Sequence, residues 1–263
     1  MTRIVRYRGE TFETTQDSVT EEVALEIRVN GEPFAITMRT PGDDFALVTG
    51  LLFAEEIIAG RDDVRAMGYG TEESDPDRQN FVQAVLNETA NGFVRQKRNL
   101  PLSASCGVCG KASLAELCLN FVPIPPDTLT FSPTLLYGLP AKLRVAQEVF
   151  QRTGGLHAAG LFDADGTLLS LKEDVGRHNA VDKVIGEKVM EGATPLSNRL
   201  LLVSGRVSYE IVQKAVRARI PILCAVSAPS SLAVEIAASV GMTLIGFLRG
   251  DTMNVYTGAE RIC

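Results

Sequence analysis

The sequence predicts an α/β protein whose larger C-terminal part alternates strands with helices, preceded by a smaller α+β unit. Residues 200–203, 222–226 and 243–247 are short apolar runs, and stretches with helical periodicity separate them. Two of these runs are almost wholly apolar, as expected of strands buried on both faces. Near the N-terminus Val23, Leu25, Ile27 and Val29 alternate up to Asn30-Gly31, and Phe34, Ile36 and Met38 resume the period of two. That pattern is a β-hairpin.

In chain order, Pro41-Gly42-Asp43-Asp44 follows the hairpin as a turn and helix start. Phe45, Leu47, Val48, Leu51 and Leu52 then lie at helical spacing to about residue 60. Residues 71–79 are polar and read as a loop, and 81–88 as a strand. Residues 95–113 lack any apolar period and read as a surface loop or linker. The character changes at Thr128, which places a domain boundary between an α+β unit over 1–127 and an α/β unit over 128–263. Residues 135–150 are periodic as a helix ended by Thr153-Gly154-Gly155. Strands over 156–162 and 168–171 flank the turn Asp163-Ala164-Asp165-Gly166. Helices over 180–191, 209–218 and 232–240 lead to the three apolar strands, and Val255 and Tyr256 restart a β pattern.

A chain of 263 residues with 45% hydrophobic and 22% charged residues can bury a sizeable core. The net charge of −6 argues against nucleic-acid binding by the whole surface. No apolar run approaches the roughly 18–20 residues that span a bilayer, and Met1–Arg8 lacks the apolar stretch of a signal peptide. The expected location is therefore cytoplasmic, with neither membrane nor nucleic acid as partner. In a reducing cytosol the odd total of five cysteines argues against a disulfide framework.

Cys106-Gly107-Val108-Cys109-Gly110 is the most informative segment. A thiol pair at this spacing can hold metal, exchange disulfides or carry sulfur. A closed zinc site needs four ligands, and His157, His178, Cys118, Cys224 and Cys263 show no second pair at ligand spacing, although two chains could complete one. A thioredoxin-like pair opens a helix after a strand, whereas this pair lies in a glycine-flanked loop. The third reading is a nucleophilic thiolate favoured by Arg95, Lys97, Arg98 and Lys111, which serve equally as a solvated basic loop.

The α/β unit offers a second site. Ser204-Gly205-Arg206-Val207-Ser208 and Ser227-Ala228-Pro229-Ser230-Ser231 each lie where a strand gives way to a helix. Ligands of open α/β sheets gather there, and helix N-termini offer N–H groups to anions. Ser208 and Ser230 or Ser231 also suit simple helix caps. Phe247-Leu248-Arg249-Gly250-Asp251-Thr252 follows the last strand of that sheet. Its Arg and Asp suit phosphates and a base with N–H donors, as guanine has, or an ordinary polar turn. His178 sits in the polar block Asp174–Lys183 as a ligand contact, proton carrier or cap, and His157 reads as a buried histidine.

Taken together, Ser105–Lys111, Asp174–Lys183, Ser204-Gly205-Arg206 and Phe247-Leu248-Arg249-Gly250 resemble the FdhD/NarQ family of formate dehydrogenase accessory sulfurtransferases, over nearly the whole chain. The resemblance implies a cytidine-deaminase-like α/β/α fold for the C-terminal domain. It implies binding of a molybdenum bis(molybdopterin guanine dinucleotide) as sulfur acceptor through Phe247, Leu248, Arg249, Gly250, Asp251 and Thr252. Ser204, Gly205, Arg206 and His178 join that expected site. Cys106 would carry a persulfide received from a cysteine desulfurase, Cys109 would assist, and the sulfur would serve formate dehydrogenase. Family members act as homodimers, with no permanent cofactor and no resident metal expected.

Two rivals follow. A zinc deaminase on the implied fold needs His-x-Glu with Pro-Cys-x-x-Cys. Here Ala158-Ala159 follow His157, Asn179-Ala180 follow His178, and Ser105 precedes Cys106, so that ligand set is missing. A chaperone that holds the cofactor without transferring sulfur explains Arg249 but leaves Cys106 unexplained unless the Cys pair is a metal site.

Overall fold

The structure, a computed structural model, describes residues 1–70, 81–88, 90, 122–125 and 129–263. The thiol pair, the expected loops over 71–79 and 95–113 and the boundary at 127/128 lie outside the described residues. What is described is a mixed α/β protein with three sheets.

An N-terminal ribbon pairs β1 (Thr2–Arg8) with β2 (Thr11–Asp17). The expected hairpin follows as β3 (Val23–Val29) and β4 (Glu32–Arg39), with Asn30 at φ 52° and Gly31 at φ 87°. A two-residue turn that matches strand twist needs left-handed backbone at both positions, which Asn-Gly tolerates. With β5 (Val64–Gly70) and β6 (Phe81–Leu86) these strands form a sheet of order β4-β3-β6-β5. Its inner face (Leu25, Ile27, Val29, Phe34, Val82, Ala84 and Leu86) packs on α1 (Asp44–Ala54). The helix stops at Ala54, short of residue 60, and Glu56 turns left-handed at φ 60°.

The second sheet has the order β12-β11-β10-β9-β7-β8. β7 (His157–Phe162) runs antiparallel to both β8 (Leu168–Asp174) and β9 (Leu200–Val203). β9, β10 (Ile222–Ala225) and β11 (Thr243–Arg249) are parallel, and β12 (Thr252–Thr257) returns antiparallel at the edge. One face is covered by α2 (Pro133–Ala146), whose Leu136, Leu139 and Leu143 meet Phe162, Leu200, Leu202, Ile222 and Ile245. The other carries α4 (Arg177–Met190), α5 (Tyr209–Arg217) and α6 (Ser231–Ser239). The single helix expected over 135–150 divides at Gln147, whose ψ of 82° breaks the α-helical path before α3 (Glu148–Thr153). The carboxylate of Glu173 on β8 accepts from the Val149 and Phe150 N–H groups at 2.9 and 2.7 Å, giving α3 an N-terminal cap from outside its own segment.

The residues on either side of the expected boundary share one apolar core. α1 is buried on nearly every side, between the four-stranded sheet and α4. A Cβ on Gly50 would overlap the Asp182 carbonyl, and one on Gly186 would overlap the Ala46 carbonyl, so the two helices cross backbone to backbone. Buried charge is paired at this junction. Arg39 holds Asp44 through two bonds of 2.9 and 2.8 Å. Lys214 on α5 reaches both Asp182 oxygens at 2.7 and 2.9 Å, yet burial still raises the Asp182 pKa to about 6.

Gly→Ala inside a helix ordinarily favours folding by about 0.5–1 kcal/mol. Gly50→Ala and Gly186→Ala are expected to do the opposite, each lowering stability by at least about 1–3 kcal/mol as overpacking does. Urea unfolding reads the sign. Asp182→Asn strands the Lys214 ammonium and should cost about 3–5 kcal/mol, whereas Asp182→Asn with Lys214→Met should cost clearly less. Equal losses in the single and double variants would show that the stranded charge is not what matters.

Candidate functional site

The parallel strands β9, β10 and β11 end at one edge of the six-stranded sheet. Because β7 runs the other way, its first residue lies at the same edge, and His157 pairs with Asp174, the last residue of β8. Helices α4, α5 and α6 all begin there. Strand order and direction together thus gather the 204–208 loop, the 226–230 loop, the polar block and the C-terminal end of β11.

Main-chain bonds stitch these loops together. Ser204 N–H donates to Ala158 O at 2.9 Å, and the Ala158 N–H donates to Ser204 Oγ at 2.9 Å. Val207 and Pro229 form a bridge, with Val207 N–H on Ala228 O and Ser230 N–H on Val207 O. Phe247 N–H donates to Ser227 O at 3.1 Å. Arg249 Nε donates to Val226 O at 2.8 Å, and its guanidinium carbon lies 5.6 Å from the Phe247 ring centre. The expected contacts Ser204, Gly205, Arg206, His178, Phe247 and Arg249 therefore share one edge.

The segment expected as a turn after the last strand is instead strand as far as Arg249. The register with β12 slips between Gly246 and Arg249, and Phe247 adopts φ 52°. This β-bulge re-aims the side chains. Leu248 is fully buried in the core, while Phe247 is 37% exposed. Gly250, at φ 55°, and Asp251 form the turn, and Thr252 Oγ1 donates to Arg249 O. Leu248 can serve a ligand only by fixing the strand beneath it.

The polar block divides by role. Asp174 is fully buried and pairs with Lys183 Nζ at 2.8 Å while accepting from Gly176 N–H, Asn179 Nδ2 and Thr40 N–H. Asn179 also donates to Met38 O, and Lys183 to Thr40 O. These residues tie the end of β4 to the start of α4. His178, on the same helical turn, places Nε2 3.1 Å from Ser208 Oγ and 3.8 Å from Glu210 Oε2. Ser208 is at the N-cap of α5 without a side-chain cap bond, whereas Ser230 caps α6 through the Ala233 N–H. One serine of the pair weighed as caps is a cap, and the other faces the histidine.

A cleft of about 610 Å³ opens at this edge, lined by Arg144, Phe150, Gly155, His157, Val175 and Ser204 among others. Arg144 stacks on Phe150 at 3.9 Å. Burial, then the nearby Arg177 and to a smaller extent Arg206, lowers the His157 pKa, so its imidazole is neutral at pH 7. A Cβ on Gly205 would meet His157 Nδ1 at 3.2 Å, so glycine lets this loop lie over the ring. Arg177 Nε is buried with no hydrogen-bond partner among the described residues, a donor that an anionic ligand would satisfy. Neither His157 nor Arg177 stood among the expected contacts. The antiparallel sense of β7 puts His157 here, and sequence periodicity does not report strand direction. Among the described residues no group of three or more His, Cys, Asp or Glu side chains could hold a metal ion. Among the described residues no helix is long and apolar enough to cross a membrane.

Fold and edge define an α/β protein with a cationic, N–H-rich site at the carboxyl ends of its parallel strands. The FdhD/NarQ family model matches residues 20–263. The sulfur carrier protein FdhD of Streptomyces coelicolor is 49% identical over 268 residues, covering 99% of this chain and 94% of its own. The protein of the same name from Sulfurisphaera tokodaii is 45% identical over 263 residues, covering 99% and 97%. The chain belongs to the FdhD/NarQ family. The crystal structure of a proposed formate dehydrogenase accessory protein from Desulfotalea psychrophila has the same fold, with a TM-score of 0.78 at 23% identity over 100% of this chain and 98% of that one.

His157 should titrate below its ordinary value of about 6.5, and Arg177→Ala should move it upward, as read by imidazole NMR shifts. The unfolded chain takes up this proton near pH 6.5 and the folded site resists it. Stability is therefore lost as pH falls below that value, and His157→Gln should flatten the slope. An unshifted resonance in Arg177→Ala would remove the arginine from the account.

Proposed function

We propose that this chain is a sulfur carrier. It accepts persulfide sulfur from a cysteine desulfurase on Cys106 and delivers it to the molybdenum or tungsten of a bis(molybdopterin guanine dinucleotide) cofactor bound for formate dehydrogenase. The observation that carries the reading is the stitched edge, where three loops, three helix N-termini and Arg177, Arg206 and Arg249 converge in a chain that also holds Cys106-Gly107-Val108-Cys109. Relatives about half identical along nearly their whole length bear the name sulfur carrier protein. In this reading residues 1–127 and 128–263 divide the labour, the second being a cytidine-deaminase-like cofactor-binding domain. The protein works in the cytoplasm as a homodimer.

The donor set fits an elongated anion. Helix N-termini and guanidinium groups suit the diphosphates, and Phe247 beside Arg249 offers a ring and a planar cation to a purine. Asp251 can accept from guanine N–H groups. His157, neutral at pH 7, can donate or accept one hydrogen bond without adding charge.

The sulfur chemistry balances with the two thiols. The Cys106 thiolate attacks the terminal sulfur of the desulfurase persulfide. A new S–S bond forms, the old one breaks, and the desulfurase cysteine leaves as thiolate. Cys106 then bears the persulfide with no net oxidation. Attack of the Cys109 thiolate on the Cys106 sulfur forms a Cys106–Cys109 disulfide and expels hydrosulfide, which becomes the ligand of the metal. A cytosolic dithiol reductant restores both thiols.

Intact mass after incubation with a cysteine desulfurase and cysteine tests this. Wild type should gain one sulfur, Cys106→Ala none, and Cys109→Ala should gain it and hold it longer. A wild type that binds guanine dinucleotide cofactor yet gains no mass would be a chaperone, and the carrier reading would be lost.

A further inference from the structure

We propose that the N-terminal ribbon, β1 with β2, is an arm that docks on the outer face of the four-stranded sheet of a second copy of this chain, the two copies exchanging arms reciprocally. This deepens the homodimer of the preceding reading and rests on none of its sulfur chemistry. The ribbon pairs along its full length, from Thr2 with Asp17 to Arg8 with Thr11, yet forms a sheet of its own with no third strand among the described residues. A two-stranded ribbon is marginal by itself in water. This one also displays an apolar face to solvent. Tyr7 and Phe12 are cross-strand partners with ring centres 5.6 Å apart, and Val5 precedes Tyr7 on the same face. Val5, Tyr7 and Phe12 are 54%, 70% and 67% exposed. At the base, Thr20 Oγ1 donates to Thr153 Oγ1 at 2.9 Å. The family match begins at residue 20, so the ribbon lies outside the core that the family model describes.

Among the described residues the four-stranded sheet leaves one face uncovered, and that face fits the arm. Register places Ala24 beside Met38, and Ile36 in a row with Glu26 and Phe81. Ile36 and Met38 are 48% and 37% exposed on the face opposite α1. Charge matches as well. Arg3 shares the ribbon face of Val5 and Tyr7, while exposed Glu21 and Glu22 flank one end of the sheet face and exposed Glu32 the other. A second copy is the one occupant that supplies both surfaces, and a two-fold axis makes every contact twice. Two aromatic side chains per copy, each with on the order of 150–250 Å² to bury, together with Val5, Ile36 and Met38 bring the total to the roughly 1,000 Å² that a specific interface needs.

Sedimentation velocity on the full chain tests the exchange. Wild type should be a dimer. Tyr7→Glu with Phe12→Glu, and separately Ile36→Glu with Met38→Glu, should weaken association by at least about a hundredfold, because each removes two anchors from each copy, while the urea midpoint of the monomer stays close to that of wild type. Mixing the two variants should restore a dimer, because one intact arm meets one intact face. A monomeric wild type would overturn the proposal and assign the ribbon to a different protein. A dimer that survives Tyr7→Glu with Phe12→Glu, or variants that stay monomeric when mixed, would equally overturn it.

Discussion

The backbone contact of α1 with α4 at Gly50 and Gly186 is the constraint on which the rest of the structure depends. Each glycine faces a carbonyl of the other helix, so neither position has room for a side chain. That approach brings α1 from the four-stranded sheet directly against the helix that begins at the candidate site. The α4 register is thereby fixed from behind, and Arg177 and His178 at its first turn inherit the precision. A helix buried on both sides must also dispose of its charges. Asp182 meets Lys214 and Asp44 meets Arg39, which keeps each buried carboxylate from standing alone.

Asp174, Asn179 and Lys183 extend the same logic to the front of the molecule. Their hydrogen bonds end on Met38 and Thr40, so the polar block spends most of its donors and acceptors on architecture. The ligand-facing share falls to residues interleaved with them at helical spacing. This explains why a single sequence block is dense in polar residues. One helical turn performs two jobs on two faces, and neither job alone would need so many.

Much of the fold was legible in the residues. The Asn30-Gly31 turn, the apolar strands β9, β10 and β11 and the helices between them follow from period and turn chemistry. The N-terminal ribbon did not, because no side chain of Thr2–Arg8 or Thr11–Asp17 is fully buried and the two segments therefore carry no apolar signal of a core. β5 escaped for a related reason: Ala66, Gly68 and Gly70 pair as backbone with little side-chain pattern. The bulge at Phe247 was illegible too, since an apolar residue with left-handed φ is held there by the Ser227 carbonyl and not by its own preference. For the site, the glycine and arginine loops were found by their place after strands. His157 and Arg177 became legible only once strand direction was known.

The thiols of the described residues sharpen what the chemistry requires. Cys224 lies fully buried on β10, and burial alone pushes its thiol far above the usual range, so it carries almost no thiolate at pH 7. Cys263 is exposed and follows Ile262 along the edge that pairs with Phe131. A persulfide carrier needs a thiolate to attack and a second thiol to expel the product, and neither residue has a cysteine at a spacing that closes a small ring. Cys106 and Cys109 have that spacing, with Lys111 and Arg98 in the same basic stretch. Under the proposed function the chemistry divides accordingly: the strand-end edge would supply fixed positive charge for the cofactor, and the sulfur step would fall to the one thiol pair whose spacing allows release without an outside thiol.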